Sequence, residues 1–171
     1  MKLKVAGFAL AALALGGCVN LSNLQFRGDH RLHFVAPRAD SLVRLPLTLR
    51  WTMSDFDVVP PNAQPPSAHA GYFAIFIDRY PVRPGQSLTS VAANDPICAH
   101  HPGCPDAAYL AQYQIYTTTT TSLRLDAVQP LAGNNDRRQT HRAIVILLDT
   151  SGRRIGEVFW SISFDLNRPT I

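Results

Sequence analysis

Apolar and polar residues alternate with a period of two along much of this chain. In Leu45–Met53 the odd-numbered positions are apolar, and the even-numbered positions are proline, threonine or arginine. Arg31–Ala36 shows a shorter alternation of the same kind. Because successive side chains of a strand point to opposite faces of a sheet, both segments predict strands with one buried face. Pro46 is expected near the start of its strand or on a sheet edge, where a missing N–H donor is tolerated.

Three further regions are typical of strands. Tyr72–Asp78 is apolar at nearly every position, which predicts a central strand covered on both faces. Gln114–Leu125 contains the β-branched run Thr117–Thr121, which suits a partly exposed strand better than a glycosylation tract or a threonine-lined binding face. Arg142–Asp149 and Ile155–Leu166 flank a Thr-Ser-Gly turn and predict a hairpin.

The second arm of this hairpin predicts one inward and one outward face. The inward residues are Val158, Trp160, Ile162, Phe164 and Leu166. The outward residues are Glu157, Phe159, Ser161, Ser163 and Asp165.

Prolines, glycines and polar residues separate the predicted strands. Loops and turns are expected at Asp55–Ala70, Pro81–Gln86, Asn94–Asp106 and Gly133–Gln139. Short helices are expected at Ser87–Ala93, with Ser87 as the N-cap, and at Ala107–Gln112. Six or seven strands with little helix predict an all-β fold, an antiparallel β-sandwich of about seven strands with short helical insertions.

Two segments carry a resemblance to a known class of sandwich. His141–Gly152 resembles the F–G hairpin of bacterial immunoglobulin-like and fibronectin type III-like domains, and Leu47–Trp51 resembles their second strand. The resemblance implies an immunoglobulin-like β-sandwich over residues 30–171. The chain departs from that pattern in its long B–C loop. Cys98 and Cys104 are also too close in sequence to form the B–F disulfide of antibody domains.

The N-terminus has a different pattern. Lys2 and Lys4 precede Val5–Leu15, an apolar run of about 11 residues that matches a secretory signal. A membrane-spanning helix needs roughly 20 apolar residues. The tetrapeptide Leu-Gly-Gly-Cys18 resembles the lipobox of bacterial lipoproteins. This resemblance implies that residues 1–17 are a cleaved signal peptide, that Cys18 is lipidated, and that residues 18–29 are a lipidated tether.

Lipidation of Cys18 implies a location at the cell membrane or outer membrane, with the domain facing the periplasm or exterior. The next residue is Val19 rather than aspartate, so the usual inner-membrane retention signal of diderm lipoproteins is lacking. In a diderm host we therefore expect the outer membrane. In a monoderm host the protein would sit on the outer face of the single membrane.

The charge distribution argues against a nucleic-acid partner. Of the 16 lysines and arginines, Lys2 and Lys4 are the only lysines, which leaves 14 arginines against 12 acidic residues after the signal peptide. The arginines are scattered rather than gathered into the basic stripe of a nucleic-acid-binding protein. The expected partners are instead the membrane, through the lipid, and another envelope protein or a glycan.

Cys98 and Cys104 are the remaining cysteines, and an even pair in an exported domain predicts a disulfide. His100 and His101 lie between them, so zinc or copper binding by thiolates and imidazoles is the alternative. Export favours the oxidised pair, and no metal or cofactor is expected. His141 is expected at a solvated strand end, and Asp78 in a solvated loop rather than a calcium site.

Motifs for common catalytic machinery are missing from the sequence. It contains no Gly-x-Ser-x-Gly elbow, no glycine-rich phosphate loop and no His-Glu-x-x-His segment. We therefore predict a non-enzymatic binding or structural module that presents the Asp55–Ala70 and Pro81–Asp106 loops. The candidate binding residues are His100, His101, Tyr109 and Tyr113. The rival hypotheses are an envelope hydrolase or metal-handling protein that uses the His/Cys loop, and a carbohydrate-binding module.

Overall fold

The computed structural model describes residues 29–133 and 136–167. The predicted signal peptide, Cys18 and the tether up to residue 28 lie outside the described residues.

Within the described part, strands predominate and helices are short, so the fold is all-β as predicted. The strands are β1 (Leu32–Ala36), β2 (Ser41–Val43), β3 (Leu47–Met53), β4 (Asp57–Val58), β5 (Ala70–Ile77), β6 (Ile115–Thr118), β7 (Ser122–Leu125), β8 (Arg138–Asp149) and β9 (Arg154–Asn167).

These strands form two sheets. Sheet 1 has the order β1-β3-β7 and is antiparallel. Sheet 2 has the order β2-β9-β8-β5-β4, and β6 also pairs with β5. The β2–β9 and β4–β5 pairings are parallel, so the expectation of a purely antiparallel arrangement is wrong at these two short strands.

The main core lies between the sheets. Leu47, Leu49 and Trp51 are buried on β3, as the period of two predicts. The Trp51 ring contacts Phe73 of β5 edge to face, with the ring centroids 5.3 Å apart. Full burial of each such side chain stabilises the fold by about 1.5–3 kcal/mol. The packing of β3 against β5 therefore holds the two sheets together.

Sheet 2 is covered on its other face by residues 81–114. This insertion contains a 3-10 helix (Leu88–Ala92), α1 (Pro96–Ala99) and α2 (Ala107–Gln112). It packs on a second apolar cluster that includes Phe76, Ile144 and Ile146. β5 lies between sheet 1 and the insertion, so its residues are apolar and buried on both faces.

The predicted helix positions are confirmed, with one addition. Ser87 caps the 3-10 helix by accepting a hydrogen bond from the backbone N–H of Thr89. Asp106 caps α2 through the N–H of Tyr109. The segment Asn94–Asp106, expected to be a loop, contains α1, which begins at Pro96 after the N-cap Asp95.

The threonine-rich region is two strands rather than one. β6 pairs with β5 in sheet 2, whereas β7 pairs with β3 in sheet 1. Between them the Thr118 hydroxyl accepts a hydrogen bond from the N–H of Thr120, and the Thr120 hydroxyl donates to the carbonyl of Ser122. Such local side-chain bonds compete with the sheet ladder, and here they accompany the crossing from one sheet to the other.

The β9 strand is interrupted by a bulge that the alternating pattern does not reveal. Val145 pairs with Trp160 and Leu147 with Ile155, so Gly156–Phe159 lies opposite a single residue of β8. Val158, predicted to face inward, is therefore 38% exposed. Asp165, predicted to face outward, is buried, and Thr140 and Arg138 donate hydrogen bonds to its carboxylate.

Other element boundaries shift modestly. β8 begins at Arg138, inside the predicted Gly133–Gln139 turn, and β3 begins at Leu47, directly after Pro46. The long segment from Asp55 to Ala70 contains β4 and begins β5. Within the described ranges, no helix has both the length and the apolar character to cross a membrane.

Candidate functional site

Two adjoining cavities share Arg79 as a common wall. The larger, named here the Tyr113 cavity, has a volume of about 460 Å³ and is lined by residues of the helical insertion. The smaller, named the Arg142 cavity, has a volume of about 210 Å³ and lies between the residues that follow β5 and the first half of β8. The larger volume lies within the range of roughly 300–1,000 Å³ that is typical of small-molecule sites.

One side of the Tyr113 cavity is a pair of tyrosines, Tyr109 within α2 and Tyr113 directly after its last residue. Asp106 starts this helix, and the spacing of four residues places Tyr109 and Tyr113 on the same helix face. Their ring centroids are 4.9 Å apart. Tyr109 is half-buried and Tyr113 is 40% exposed, so Tyr113 presents more of its ring to a ligand.

Asp95 holds these tyrosines against α1. Its Oδ2 accepts a hydrogen bond from the Tyr109 hydroxyl at 2.8 Å and a longer one from Tyr113 at 3.5 Å. Its Oδ1 accepts from the backbone N–H of Ile97. The bond from Tyr109 is the main cause of a lowered pKa of Asp95, while desolvation and the hydrogen bonds with Tyr113 and Asp95 raise the pKa of Tyr109. At neutral pH this is a carboxylate beside the neutral phenol of Tyr109.

Arg79 contacts Tyr113 through a side-chain nitrogen and through its guanidinium carbon. Its Nη1 donates to the backbone carbonyl of Tyr113 at 2.9 Å, and its guanidinium carbon lies 5.5 Å from the centroid of the Tyr113 ring. This geometry is a cation–π contact. Arg79, Tyr113, Tyr109 and Asp95 therefore form one continuous row of contacts along the cavity wall.

The Arg142 cavity combines charged walls with apolar ones. It is lined by Asp78, Arg79, Tyr80, Leu131, Arg142 and Ile144. Tyr80 is 80% exposed, and Ile144 belongs to the buried cluster beneath the insertion. A ligand here meets guanidinium groups and an apolar floor.

The Asp78 side chain in the wall of the Arg142 cavity contacts the buried side chain of His141. His141 is 2% exposed, its Nδ1 lies 2.7 Å from Asp78 Oδ2, and its ring stacks on Phe164. Asp78 Oδ1 accepts a hydrogen bond from the backbone N–H of Arg142. The expectations of a solvated His141 and a solvated Asp78 are therefore wrong, because the pairing of β5 with β8 buries them together.

The predicted disulfide between Cys98 and Cys104 is present, with its Cα atoms 5.2 Å apart. His100 and His101 are exposed and line neither cavity. Among residues 29–133 and 136–167, no three His, Cys, Asp or Glu side chains are grouped so that they could hold a metal ion.

The Tyr113 cavity and the Arg142 cavity together are named here the cleft. The structure brings two of the four candidate binding residues, Tyr109 and Tyr113, together in the cleft and leaves His100 and His101 outside it. Asp95, Arg79 and Arg142 were missed. Asp95 carries a local signal, since an acidic residue before a proline is typical of a helix start. No local pattern marks the arginines, because sheet pairing decides their proximity.

Comparisons with protein-family models, with curated proteins and with solved structures give no match for this chain. The class that the fold and cleft define is a two-sheet β protein with a helical insertion that carries the candidate site. The functional argument therefore rests on the cleft and on the N-terminal sequence.

Proposed function

We propose that this protein is a lipid-anchored component of a bacterial cell envelope whose folded domain acts as a non-enzymatic binding module. The anchor is supported by the charged start, the apolar run Val5–Leu15 and the lipobox-like sequence ending at Cys18. The disulfide is consistent with an oxidising compartment. Two or more acyl chains on Cys18 suffice for stable membrane attachment, whereas one gives only reversible binding.

The proposal includes an immunoglobulin-like assignment for residues 30–171. In such domains, strands A, B and E share one sheet, and strands C, F and G share the other. Taking β1, β3 and β7 as A, B and E, and β5, β8 and β9 as C, F and G, gives the strand orders of sheets 1 and 2. β6 then takes the position of C′ beside β5.

The observation that carries the binding role is the ordered row of Arg79, Tyr113, Tyr109 and Asp95 along an open cavity. Groups that are already held in place lose less conformational freedom when a ligand binds. Tyrosine and arginine also contribute strongly to recognition surfaces because each combines an apolar body with polar atoms.

The mechanism is attachment combined with recognition. The 11 residues 19–29 span at most about 40 Å when extended, so the domain stays close to its membrane. Confinement to that surface raises the effective concentration of any partner held on the same surface. A cleft of modest affinity is then sufficient for stable association.

Site-specific photo-crosslinking in intact cells tests this function. Ile97 is 68% exposed and lines the Tyr113 cavity, so a photoreactive residue there should capture the partner. Val35, 54% exposed on β1 of the other sheet, is the matched control position. An adduct of defined mass at position 97 and none at 35 supports the proposal, and equal or absent adducts at both contradict it.

A carbohydrate ligand is the second candidate. The observation in its favour is the aromatic character of the cleft, since Tyr80 and Tyr113 are 80% and 40% exposed at the two cavities. Screening the purified protein on a glycan array discriminates the two candidates. Saturable binding to one glycan class, abolished by Tyr80→Ala and Tyr113→Ala, would replace the protein partner with a sugar.

A further inference from the structure

We propose that Arg79 and Arg142 form a carboxylate-binding site in the Arg142 cavity, and that the ligand is a monoanionic carboxylate attached to an apolar group. This inference rests on the proposed binding function and names the chemistry of its ligand. It applies equally to a free carboxylic acid and to the C-terminal carboxylate of a peptide.

The first argument is charge. The cavity is lined by Arg79 and Arg142. Neither belongs to an ion pair among the described residues, where the paired arginines are Arg31, Arg124 and Arg138. Asp78 is the acidic residue of the wall, but its oxygens are occupied by His141 and by the backbone N–H of Arg142. Both arginines of the cavity are therefore without an ion-pair partner among the described residues, although Asp78 lies on the same wall.

The second argument is preorganisation. One nitrogen of Arg79 donates to the Tyr113 carbonyl, and its guanidinium carbon lies over the Tyr113 ring. These two contacts restrict a side chain that is otherwise highly flexible. Its other N–H groups remain available for the fork geometry that matches a carboxylate.

The third argument concerns what is attached to the carboxylate. Leu131 and Ile144 line the same cavity, so part of the ligand contacts apolar surface. A volume of about 210 Å³ lies below the range of roughly 300–1,000 Å³ for whole drug-sized ligands. The cavity therefore suits one apolar group and its carboxylate, while the remainder of a longer ligand extends past Arg79 into the Tyr113 cavity.

The same wall disfavours a phosphate. Asp78 contributes a carboxylate beside the arginines, and the floor is apolar. Because withdrawing charge from water costs more for a dianion than for a monoanion, the apolar floor disfavours a dianion relative to a monoanion. Two arginines with one nearby acid match a single negative charge.

Calorimetric titration of the purified, host-processed protein tests the site. The probes are acetyl-Ala-Ala-Val with a free C-terminal carboxylate, named here the acid peptide, the same peptide with a C-terminal amide, isovalerate and inorganic phosphate. We expect the acid peptide to bind at least tenfold more tightly than its amide, because charge-assisted hydrogen bonds are lost with the carboxylate. Isovalerate should bind more weakly than the acid peptide but compete with it, and phosphate should not compete.

The variants Arg142→Gln and Arg79→Gln should each weaken binding of the acid peptide at least tenfold. Arg50→Gln is the matched control, because Arg50 is an exposed arginine on β3 of the other sheet. Unchanged thermal unfolding of Arg142→Gln would show that the loss is local.

Three outcomes would overturn the inference. They are equal affinity for the acid and the amide, equal affinity of Arg142→Gln and Arg50→Gln for the acid, and tighter binding of phosphate than of the acid peptide. If crosslinks still form at position 97 in any of these cases, the proposed binding function stands and only the carboxylate site fails. If neither crosslinks nor peptide binding occurs, both fail.

Discussion

The guanidinium of Arg79 lies over the ring of Tyr113, 5.5 Å from its centroid, and donates a hydrogen bond to the carbonyl of the same residue at 2.9 Å. The two residues are 34 positions apart in sequence. One tyrosine thus orients the arginine through both its side chain and its backbone. This contact joins the end of β5 to the end of α2 at the boundary of the two cavities.

Replacing Tyr113 tests that role. Tyr113→Ala removes the ring beneath Arg79, and we expect a loss of about 0.5–1 kcal/mol of cation–π energy at this exposed site, which corresponds to about two- to fivefold weaker binding of the acid peptide. Tyr113→Phe is the control, because it keeps the ring and removes only the hydroxyl, with its long contact to Asp95 and its contact with Tyr109. Equal peptide affinity in the alanine and phenylalanine variants would show that the ring does not position Arg79.

Arg154 is expected to be important for stability. It is 6% exposed, and its guanidinium donates to the carbonyls of Val82 at 2.5 Å and Glu157 at 2.7 Å. Arg154→Met leaves these acceptors without a partner, and we expect destabilisation of about 2–4 kcal/mol in urea unfolding. The neighbouring Arg153→Met is the control. Arg153 is exposed, and the one hydrogen bond described for its side chain goes to the Gly85 carbonyl, so its loss should cost less than about 1.5 kcal/mol.

Reduction of the Cys98–Cys104 bond should lower stability. The bond closes a loop of about seven residues, for which the chain-entropy relation gives about 2–2.5 kcal/mol. Urea unfolding with and without reductant measures the difference. In the double variant Cys98→Ala, Cys104→Ala the reductant should have no effect, and a reductant effect that persists there would point away from this disulfide.

Acid should destabilise the domain through Asp165. The hydrogen bonds from Thr140 and Arg138 lower the pKa of Asp165 below its ordinary value of about 3.9. The unfolded chain therefore takes up the proton first as pH falls. The stability contributed by Asp165 is complete above about pH 5, and it is lost as pH falls through the unfolded value towards the folded one.

Asp165→Asn should therefore be less stable than the parent at pH 7 and should lose less stability between about pH 5 and pH 2. Urea unfolding at several pH values measures both effects. Asp126→Asn is the control, because the Arg124–Asp126 pair is exposed and such pairs contribute little. If the Asp165 and Asp126 variants show the same pH slope, Asp165 is not the responsible group.

The anchor is tested at Cys18. Cys18→Ala should shift the protein from the membrane fraction to the soluble fraction and abolish incorporation of labelled fatty acid, because the proposed acyl chains have no other site of attachment. Cys98→Ala is the comparison, since it removes a cysteine without removing the anchor. Membrane association and lipid labelling of Cys18→Ala equal to those of the parent would contradict the lipoprotein proposal.

The parts of the fold that follow from the sequence are those with local causes. The alternation in β3 reports its buried face because a pleated strand has a period of two. Ser87 caps its helix through a bond that spans two residues. The same reasoning fails at β9, where Gly156 adopts a φ of +67° and the bulge moves Val158 to the surface. A bulge depends on how two strands meet, and alternation within one strand does not contain that information.

The sequence by itself determined a β-rich domain with a Cys98–Cys104 disulfide, and it predicted the short helix Ala107–Gln112. These outcomes depend on strand periodicity, helix spacing and short loop closure, which act between neighbouring residues. Only the tertiary structure placed Arg79 and Arg142 on one cavity and buried His141 against Asp78, 63 residues away. The pairing of β5 with β8 creates both relationships, and long-range pairing is selected by the packing of the whole core rather than by any local segment.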